Sequence, residues 1–229
     1  LVGGAGNDII TGGTGADTID GGTGTDIINA GTGNDIVTGS VGADVADGEA
    51  GTDTYVTSST QVAANIEGAG TGTSTGLVIN LGSTAITKAS VLSVTSANLA
   101  GNLASVASGE VAYLYGSSDA AFSTVVDTLS NIEDVTLSGN GANYVVGSAT
   151  ANIVTLGTGS DIVDTGAGND IIVAATGSNV DTGDILTGGA GTDALHISNL
   201  GTDASALDIA TIESIVILDG TADADMSLT

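Results

Sequence analysis

The chain has 229 residues, of which 27 are acidic and only Lys88 is a Lys or Arg, giving a formal net charge of −26. One lysine cannot neutralise a phosphate backbone, which excludes nucleic acid as a partner. An anionic membrane repels such a chain, and no apolar run approaches the ~20 residues of a spanning helix, so direct membrane insertion is excluded as well. There is no cysteine, so no disulfide braces the fold. Hydrophobic residues make up 41% but are mostly Val, Ile, Leu and Ala, which suits thin stacked layers better than a globule around large aromatic anchors. The chain opens on Leu1 and Val2, which read as the tail of an earlier repeat and imply a piece of a longer protein.

From Gly3 the sequence divides without a gap into six nonapeptides: GGAGNDIIT, GGTGADTID, GGTGTDIIN, AGTGNDIVT, GSVGADVAD and GEAGTDTYV. The fourth position is always glycine (Gly6, Gly15, Gly24, Gly33, Gly42, Gly51), and the sixth is always aspartate (Asp8, Asp17, Asp26, Asp35, Asp44, Asp53). Six in-register glycines have a chance probability of about 10⁻⁷ at an average usage of ~7%. Residues 57–137 lack the nonapeptide and are rich in Ser, Thr, Ala and Val, with strand-like runs at Leu77–Ile79 and Val111–Tyr115. An inserted excursion is expected around 82–110, and short helical turns at 119–129 and 203–210. A second repeat block, 138–196, holds SGNGANYVV, GSATANIVT, LGTGSDIVD, TGAGNDIIV, a fourteen-residue unit and GGAGTDALH. It is partly degenerate: Asn143 and Asn152 stand where aspartate is expected, while Asp161, Asp170, Asp184 and Asp193 restore it. Residues 197–229 continue in strand-like sequence. Ile–Glu pairs recur at Ile66–Glu67, Ile132–Glu133 and Ile212–Glu213. Their glutamates read as solvated coil corners, with cation binding the alternative.

The nonapeptide resembles the RTX, or hemolysin-type calcium-binding, repeat GGxGxDxUx of exported Gram-negative proteins. The resemblance implies an all-β chain folded as a right-handed parallel β-roll or β-solenoid. Its parts are a calcium-binding block at 1–56, an irregular solenoid spacer at 57–137, the second block at 138–196 and a continuing strand region at 197–229. Physical reading of the unit agrees. The GGxGx stretch turns sharply on glycine, and the β-branched residues after it suit a short strand. Alternation points the eighth position inward: Ile10, Ile19, Ile28, Val37, Ala46 and Tyr55. Two units make one coil of about 18 residues, so units n and n+2 stack at the ~4.8 Å strand spacing.

That stacking sets Asp8 near Asp26, Asp17 near Asp35, Asp26 near Asp44 and Asp35 near Asp53. Two bare carboxylates ~5 Å apart repel by roughly 3 kcal/mol at an effective dielectric of 20. A divalent cation reverses the sign, and calcium, with six to eight oxygen ligands and loose geometry, suits the arrangement. The expected cofactor is therefore Ca²⁺, several ions of it. The family takes its remaining ligands from turn carbonyls. This implies Gly3, Gly4, Ala5, Gly6, Gly12, Gly13, Thr14, Gly15, Gly21, Gly22, Thr23, Gly24, Gly31, Gly33 and Gly42 in the first block, and Gly168, Gly189 and Gly191 in the second.

Catalytic chemistry is not expected. His196 is the single histidine, no HExxH or GxSxG motif occurs, and no GK[ST] follows the glycine-rich turns. A ladder of equivalent aspartates fits ion binding better than a glycosidase pair. Three readings of function follow: a segment of a calcium-dependent bacterial surface layer (S-layer), an RTX adhesin stalk, or the calcium-folding module of a type I-secreted protease, lipase or toxin. All three place the chain outside the cell, the first on a Gram-negative-type surface. The expected partners are copies of the chain in an array or neighbouring domains of the same long chain, with surface polysaccharide reached through another domain. The seventh position, outward-facing, carries Ile9, Ile27 and Val45 on one wall, a stripe that marks a contact surface.

Overall fold

A computed structural model describes residues 1–57, 74–87, 105–115, 125–139, 141–175, 180, 183–198, 208–217 and 224–227. Each nonapeptide of the first block ends in one short strand. After β1 (Val2–Ala5), which covers the start of the first unit, these strands are β2 (Ile9–Thr14), β3 (Thr18–Thr23), β4 (Ile27–Thr32), β5 (Ile36–Thr38), β6 (Val45–Asp47) and β7 (Thr54–Val56). Strands from alternate units pair in parallel. Ile9 lies opposite Ile27 and Ile27 opposite Val45 in one sheet, and Thr18 opposite Ile36 and Ile36 opposite Thr54 in the other. The step is 18 residues, two units per coil, and the two sheets form the two walls.

The apolar eighth position fills the space between the walls. Ile19, Ile28, Val37, Ala46 and Tyr55 are buried, and Val145, Val154, Val163, Ile172, Leu186 and Leu195 continue the row in later coils. Ile10, in the first coil, is only partly buried. The seventh position faces out, most openly at Ile9, 81% exposed.

The spacer keeps both walls going by an irregular route. It supplies β8 (Ser74–Asn80), β9 (Ile86–Thr87), β10 (Ser105–Val106), β11 (Glu110–Tyr115), β12 (Val125–Ser130) and β13 (Asp134–Thr136). In one wall β13 pairs directly with β7, Asp134 opposite Thr54. In the other β12 joins β6 in parallel, and then β11 and β8 are inserted as extra strands before the second block. β11 runs antiparallel to both neighbours, so the wall is not uniformly parallel. The excursion between β8 and β11 forms the small β9–β10 pair. It is tied down by the Asn80 side-chain amide, which donates to the carbonyls of Thr84 and Val106 at 3.0 Å each. Leu77, Val78 and Ile79 are consecutive and all buried, so both faces of β8 are covered.

The second block adds β14 (Tyr144–Val146), β15 (Ile153–Thr155), β16 (Ile162–Asp164), β17 (Ile171–Ala174), β18 (Ile185–Thr187) and β19 (Ala194–Ile197). After it come β20 (Asp208–Ala210), β21 (Ser214–Ile217) and β22 (Ala224–Ser227), the last antiparallel to β21. The fourteen-residue unit lengthens one coil but leaves the register intact, Ile162 opposite Ile185 and Ile171 opposite Ala194. The helical turns expected at 119–129 and 203–210 are corrected where the chain is described. Val125–Ser130 and Asp208–Ala210 are strands, because pairing with β6 and β18 decides their conformation. Residues 119–124 and 203–207 lie outside the described residues.

The inner and outer rows make opposite demands on side-chain volume. Ile28→Ala opens a cavity between the walls and should lower stability in calcium by about 2–5 kcal/mol. The adjacent outward Ile27→Thr should change it by under about 1 kcal/mol. Urea unfolding of the two variants in calcium checks the assignment, and equal losses would contradict it.

Candidate calcium sites

The sixth-position aspartates stack at the coil repeat and divide the work of their two oxygens. Oδ1 accepts the main-chain N–H of the aspartate one coil earlier: Asp26 from Asp8 at 2.8 Å, Asp35 from Asp17 at 2.7 Å, Asp44 from Asp26 at 2.9 Å and Asp53 from Asp35 at 2.8 Å. The second block repeats the bond, Asp184 accepting from Asp161 at 2.7 Å and Asp193 from Asp170 at 2.9 Å. Stacked aspartates are therefore linked by amide-to-carboxylate bonds, an arrangement that spacing alone does not reveal.

The other oxygen is left over. Oδ2 of Asp8, Asp17, Asp26, Asp35, Asp53, Asp170 and Asp193 is buried and has no hydrogen-bond partner. A buried, unpaired anionic oxygen costs several kcal/mol, so it demands a cation or a proton. Those of Asp8, Asp17, Asp26, Asp53 and Asp193 point back to the first-position glycine of their own turns. A Cβ built on Gly3 would lie 2.8 Å from Asp8 Oδ2 and 2.5 Å from the Gly21 carbonyl oxygen of the next coil. On Gly12 it would lie 2.9 Å from Asp17 Oδ2 and 2.2 Å from the Ala30 carbonyl oxygen. The cradle thus brings together one carboxylate oxygen and main-chain carbonyls. Among the described residues no three His, Cys, Asp or Glu side chains converge on a metal position. An ion here would be held mainly by carbonyls and by carboxylates from stacked turns, an all-oxygen set that fits calcium.

The turn carbonyls stack as well. Gly4 lies opposite Gly22, and Ala5 opposite Thr23, in one row of turns. Gly13 lies opposite Gly31, and Thr14 opposite Thr32, in the other. Some of the implied ligands are also engaged in the ladder: the Thr23 carbonyl accepts from Gly6 at 2.7 Å, and the Gly31 carbonyl from Ala50 at 2.9 Å. Gly15, Gly24, Gly33 and Gly42 continue the fourth-position stack, and Gly168 and Gly191 repeat it in the second block beside Gly189. Gly22, at the second position of its unit, shows how tightly successive turns can pack. Its φ is 96°, and a Cβ would lie 2.0 Å from the Gly4 carbonyl oxygen.

Not every ladder aspartate offers a free oxygen. The Ser40 hydroxyl donates to Asp44 Oδ2 at 2.9 Å. Asp161 Oδ2 accepts the Gly157 N–H at 3.1 Å, while the Asn143 main-chain and side-chain N–H groups donate to its Oδ1 at 3.1 and 2.9 Å. Asn152 turns its side-chain nitrogen to the Glu133 carbonyl and the Ser148 hydroxyl. The two asparagine turns are satisfied by hydrogen bonds alone.

Three acids of the ladder lie outside the nonapeptide register. Asp127 Oδ1 accepts the Asp44 N–H at 3.0 Å, and its Oδ2 takes the Tyr55 hydroxyl. Glu133 accepts the Asp53 N–H at 2.9 Å, and Glu213 the Asp193 N–H at 2.7 Å. The last two are the glutamates of the recurrent Ile–Glu pairs. They join the ladder through these bonds while staying open to solvent, Glu133 half-buried and Glu213 exposed, and the recurrence itself was the signal. The pair at Ile66–Glu67 lies outside the described residues. His196 sits half-buried on β19 between Val173 and Val216.

Burial raises the carboxyl pKa of Asp44, Asp53, Asp134 and Asp170 above the ordinary carboxylate value. It pushes Asp161 up to about 7, against the hydrogen bonds from Asn143. At Asp53 the neighbouring carboxylates of Asp35 and Glu133 add to the rise.

Residues 1–28, 20–55 and 137–180 match the family described as RTX calcium-binding nonapeptide repeat, in 4 copies. The chain carries RTX repeats, and these repeats bind several Ca²⁺ ions. No curated protein matches the chain.

Calcium should control folding. Each site at 100 times its Kd contributes ~2.7 kcal/mol, and millimolar calcium reaches that regime only for sites with Kd of about 10⁻⁵ M or tighter. Circular dichroism during a calcium titration should show β structure forming with the ion, and a complete β signal in excess chelator would contradict it. In chelator, acid should partly replace calcium. A raised carboxyl keeps its proton in the fold after the unfolded chain has lost it, so stability falls as pH rises from about 4 towards 7. The chelated chain should therefore show more β signal at pH 5 than at pH 7. With calcium present the order should reverse, because the ligands must be deprotonated to bind.

Proposed function

We propose that this RTX-repeat segment is an extracellular, calcium-locked structural solenoid that forms or supports a bacterial surface layer, and that it has no catalytic role. Proteins with such repeats are typically exported, and calcium is scarce inside cells and plentiful outside. A chain that folds only with the ion stays extended for export and sets afterwards.

The observation that carries the reading is the continuity of the two walls. Ten strands line up in each, through both repeat blocks and the spacer between them. A module whose task is only to trigger folding of an attached enzyme needs one compact block. Here the spacer strands preserve the stack between two calcium-binding blocks, as a load-carrying rod requires.

The outer row supports assembly. Ile9, Ile27 and Val45 are paired neighbours on one wall and are 81%, 47% and 44% exposed. Isolated exposed apolar residues need no explanation, but a continuous row marks a contact, here with a second copy of the chain. Farther along the same wall, the outer face of β8 is already covered.

Replacing Ile9, Ile27 and Val45 together by Thr retains β-branching and removes most of the apolar area. Calcium-dependent folding should survive while ordered arrays, imaged by electron microscopy in millimolar calcium, are lost. Arrays formed as readily by the variant would remove the assembly role from this wall.

A further inference from the structure

The two glutamates sit in three-residue turns that replace the glycine-rich turn. Asn131–Glu133 joins β12 to β13, and Thr211–Glu213 joins β20 to β21. Both turns begin on a non-glycine residue in the left-handed region, Asn131 at φ 49° and Thr211 at φ 51°. Both bury the middle isoleucine, Ile132 and Ile212. In both, the glutamate is in register with the last aspartate of its row, because Thr54 lies opposite Asp134 and Ala194 opposite Ser214.

The donor atoms match as closely as the register. In a repeat turn the cradle over the first-position glycine holds an aspartate Oδ2 and a carbonyl oxygen of the next coil. At the end of the first block a Cβ on Gly48 would lie 2.5 Å from Asp53 Oδ2 and 2.1 Å from the Asn131 carbonyl oxygen. At the end of the second, a Cβ on Gly188 would lie 2.7 Å from Asp193 Oδ2 and 2.3 Å from the Thr211 carbonyl oxygen. Asp53 and Asp193 are 0% and 2% exposed, and their Oδ2 atoms have no hydrogen-bond partner. The glutamate carboxylate takes the place of the next aspartate on the amide of each.

We propose that Asn131–Glu133 and Thr211–Glu213 are calcium-completing caps. In each, the carbonyl of the left-handed residue and the glutamate carboxylate stand in for the turn carbonyl and aspartate of a missing repeat. Each closes one further Ca²⁺ site, on Asp53 and on Asp193. Asp134, beside Glu133, is not part of the cap, since its Oδ1 accepts the Ile153 N–H at 2.7 Å. The contrast is the other row, where Asp127 occupies the ladder position but its free oxygen is taken by Tyr55. That row ends in a hydrogen bond and needs no ion. The inference rests on the reading of the repeats as calcium sites.

The test compares Glu133→Gln and Glu213→Gln in the whole chain with Asp26→Asn inside the first block. Glutamine keeps the length and an oxygen for the Asp53 or Asp193 amide, so a purely hydrogen-bonding cap survives it. Isothermal titration with calcium should find one ion fewer in each glutamine variant and two fewer in the double variant. The slope of unfolding midpoint against log calcium concentration should fall in step, which counts ions even where a variant folds only at high calcium. Unchanged ion count and slope in both glutamine variants, with a loss in Asp26→Asn, would overturn the caps and leave the repeat sites standing. No loss in any of the three would overturn both.

Discussion

Asp26 accepts the Asp8 amide on one carboxylate oxygen and keeps the other buried without a partner, and the same division recurs at Asp35, Asp53 and Asp193. The first bond fixes the carboxylate to the stack. The second oxygen makes the stack conditional, because a desolvated anion with no counter-charge opposes the fold that buries it. With 27 acidic residues and a single lysine, the chain cannot supply that counter-charge from its own side chains. It must come from solution, as a cation or as a proton. Burial pushes the Asp161 carboxyl up to about 7, against the hydrogen bonds it accepts and with the Asp184 carboxylate adding to the rise.

The repeats solve this problem of one leftover oxygen in more than one way. Where the turn keeps its glycines, the cradle of carbonyls beside Oδ2 is open to an ion. Where Ser40 replaces the second glycine, its hydroxyl reaches Asp44 Oδ2 and closes the bond inside the protein. At Asp161 the Gly157 N–H does it, and at Asp127 the Tyr55 hydroxyl. Where asparagine replaces aspartate, the charge disappears and the side-chain nitrogen finds an oxygen instead. Degeneracy in the motif thus satisfies the leftover oxygen by hydrogen bonding inside the protein, and it leaves the strand register untouched.

The regular part of this architecture was legible because its period is short and its units are nearly identical. Nine residues, alternation and a fixed aspartate specify the coil, the inward row from Ile19 to Tyr55 and the stacking of Asp8 on Asp26. The spacer was less legible for a physical reason. β11 and β8 pair antiparallel, Val111 opposite Ile79 and Tyr113 opposite Leu77, a long-range choice that no local pattern encodes. Val125–Ser130 shows the same limit, since its pairing with β6 overrode a local helical reading. Asp127 carries no repeat around it, so nothing in the sequence marks it as a ladder residue. Glu133 and Glu213 were marked by the recurring Ile–Glu pair. Their place in the ladder was missed because a glutamate at a turn ordinarily serves only as a solvated corner, and only the register with Asp53 and Asp193 shows the amide bonds they accept.

The middle of the stack explains how a solenoid of calcium-binding repeats tolerates a stretch without them. In a solenoid each coil contacts only its neighbours, so stability is a sum of local terms and a coil lacking one term needs another. β8 supplies it. Leu77, Val78 and Ile79 are all fully buried, with one face on the core and the other under cover. Burial of each such side chain is worth about 1.5–3 kcal/mol, against ~2.7 kcal/mol for a calcium site at 100 times its Kd. Burial of three such residues is therefore of the same order as one or two calcium sites. The hydrophobic term asks nothing of the solution, whereas the ladder terms on either side do. The segment is built as two calcium-set ends around a coil region that apolar burial holds, and the parallel register passing from β7 to β13 to β15 transmits each part's order to the next.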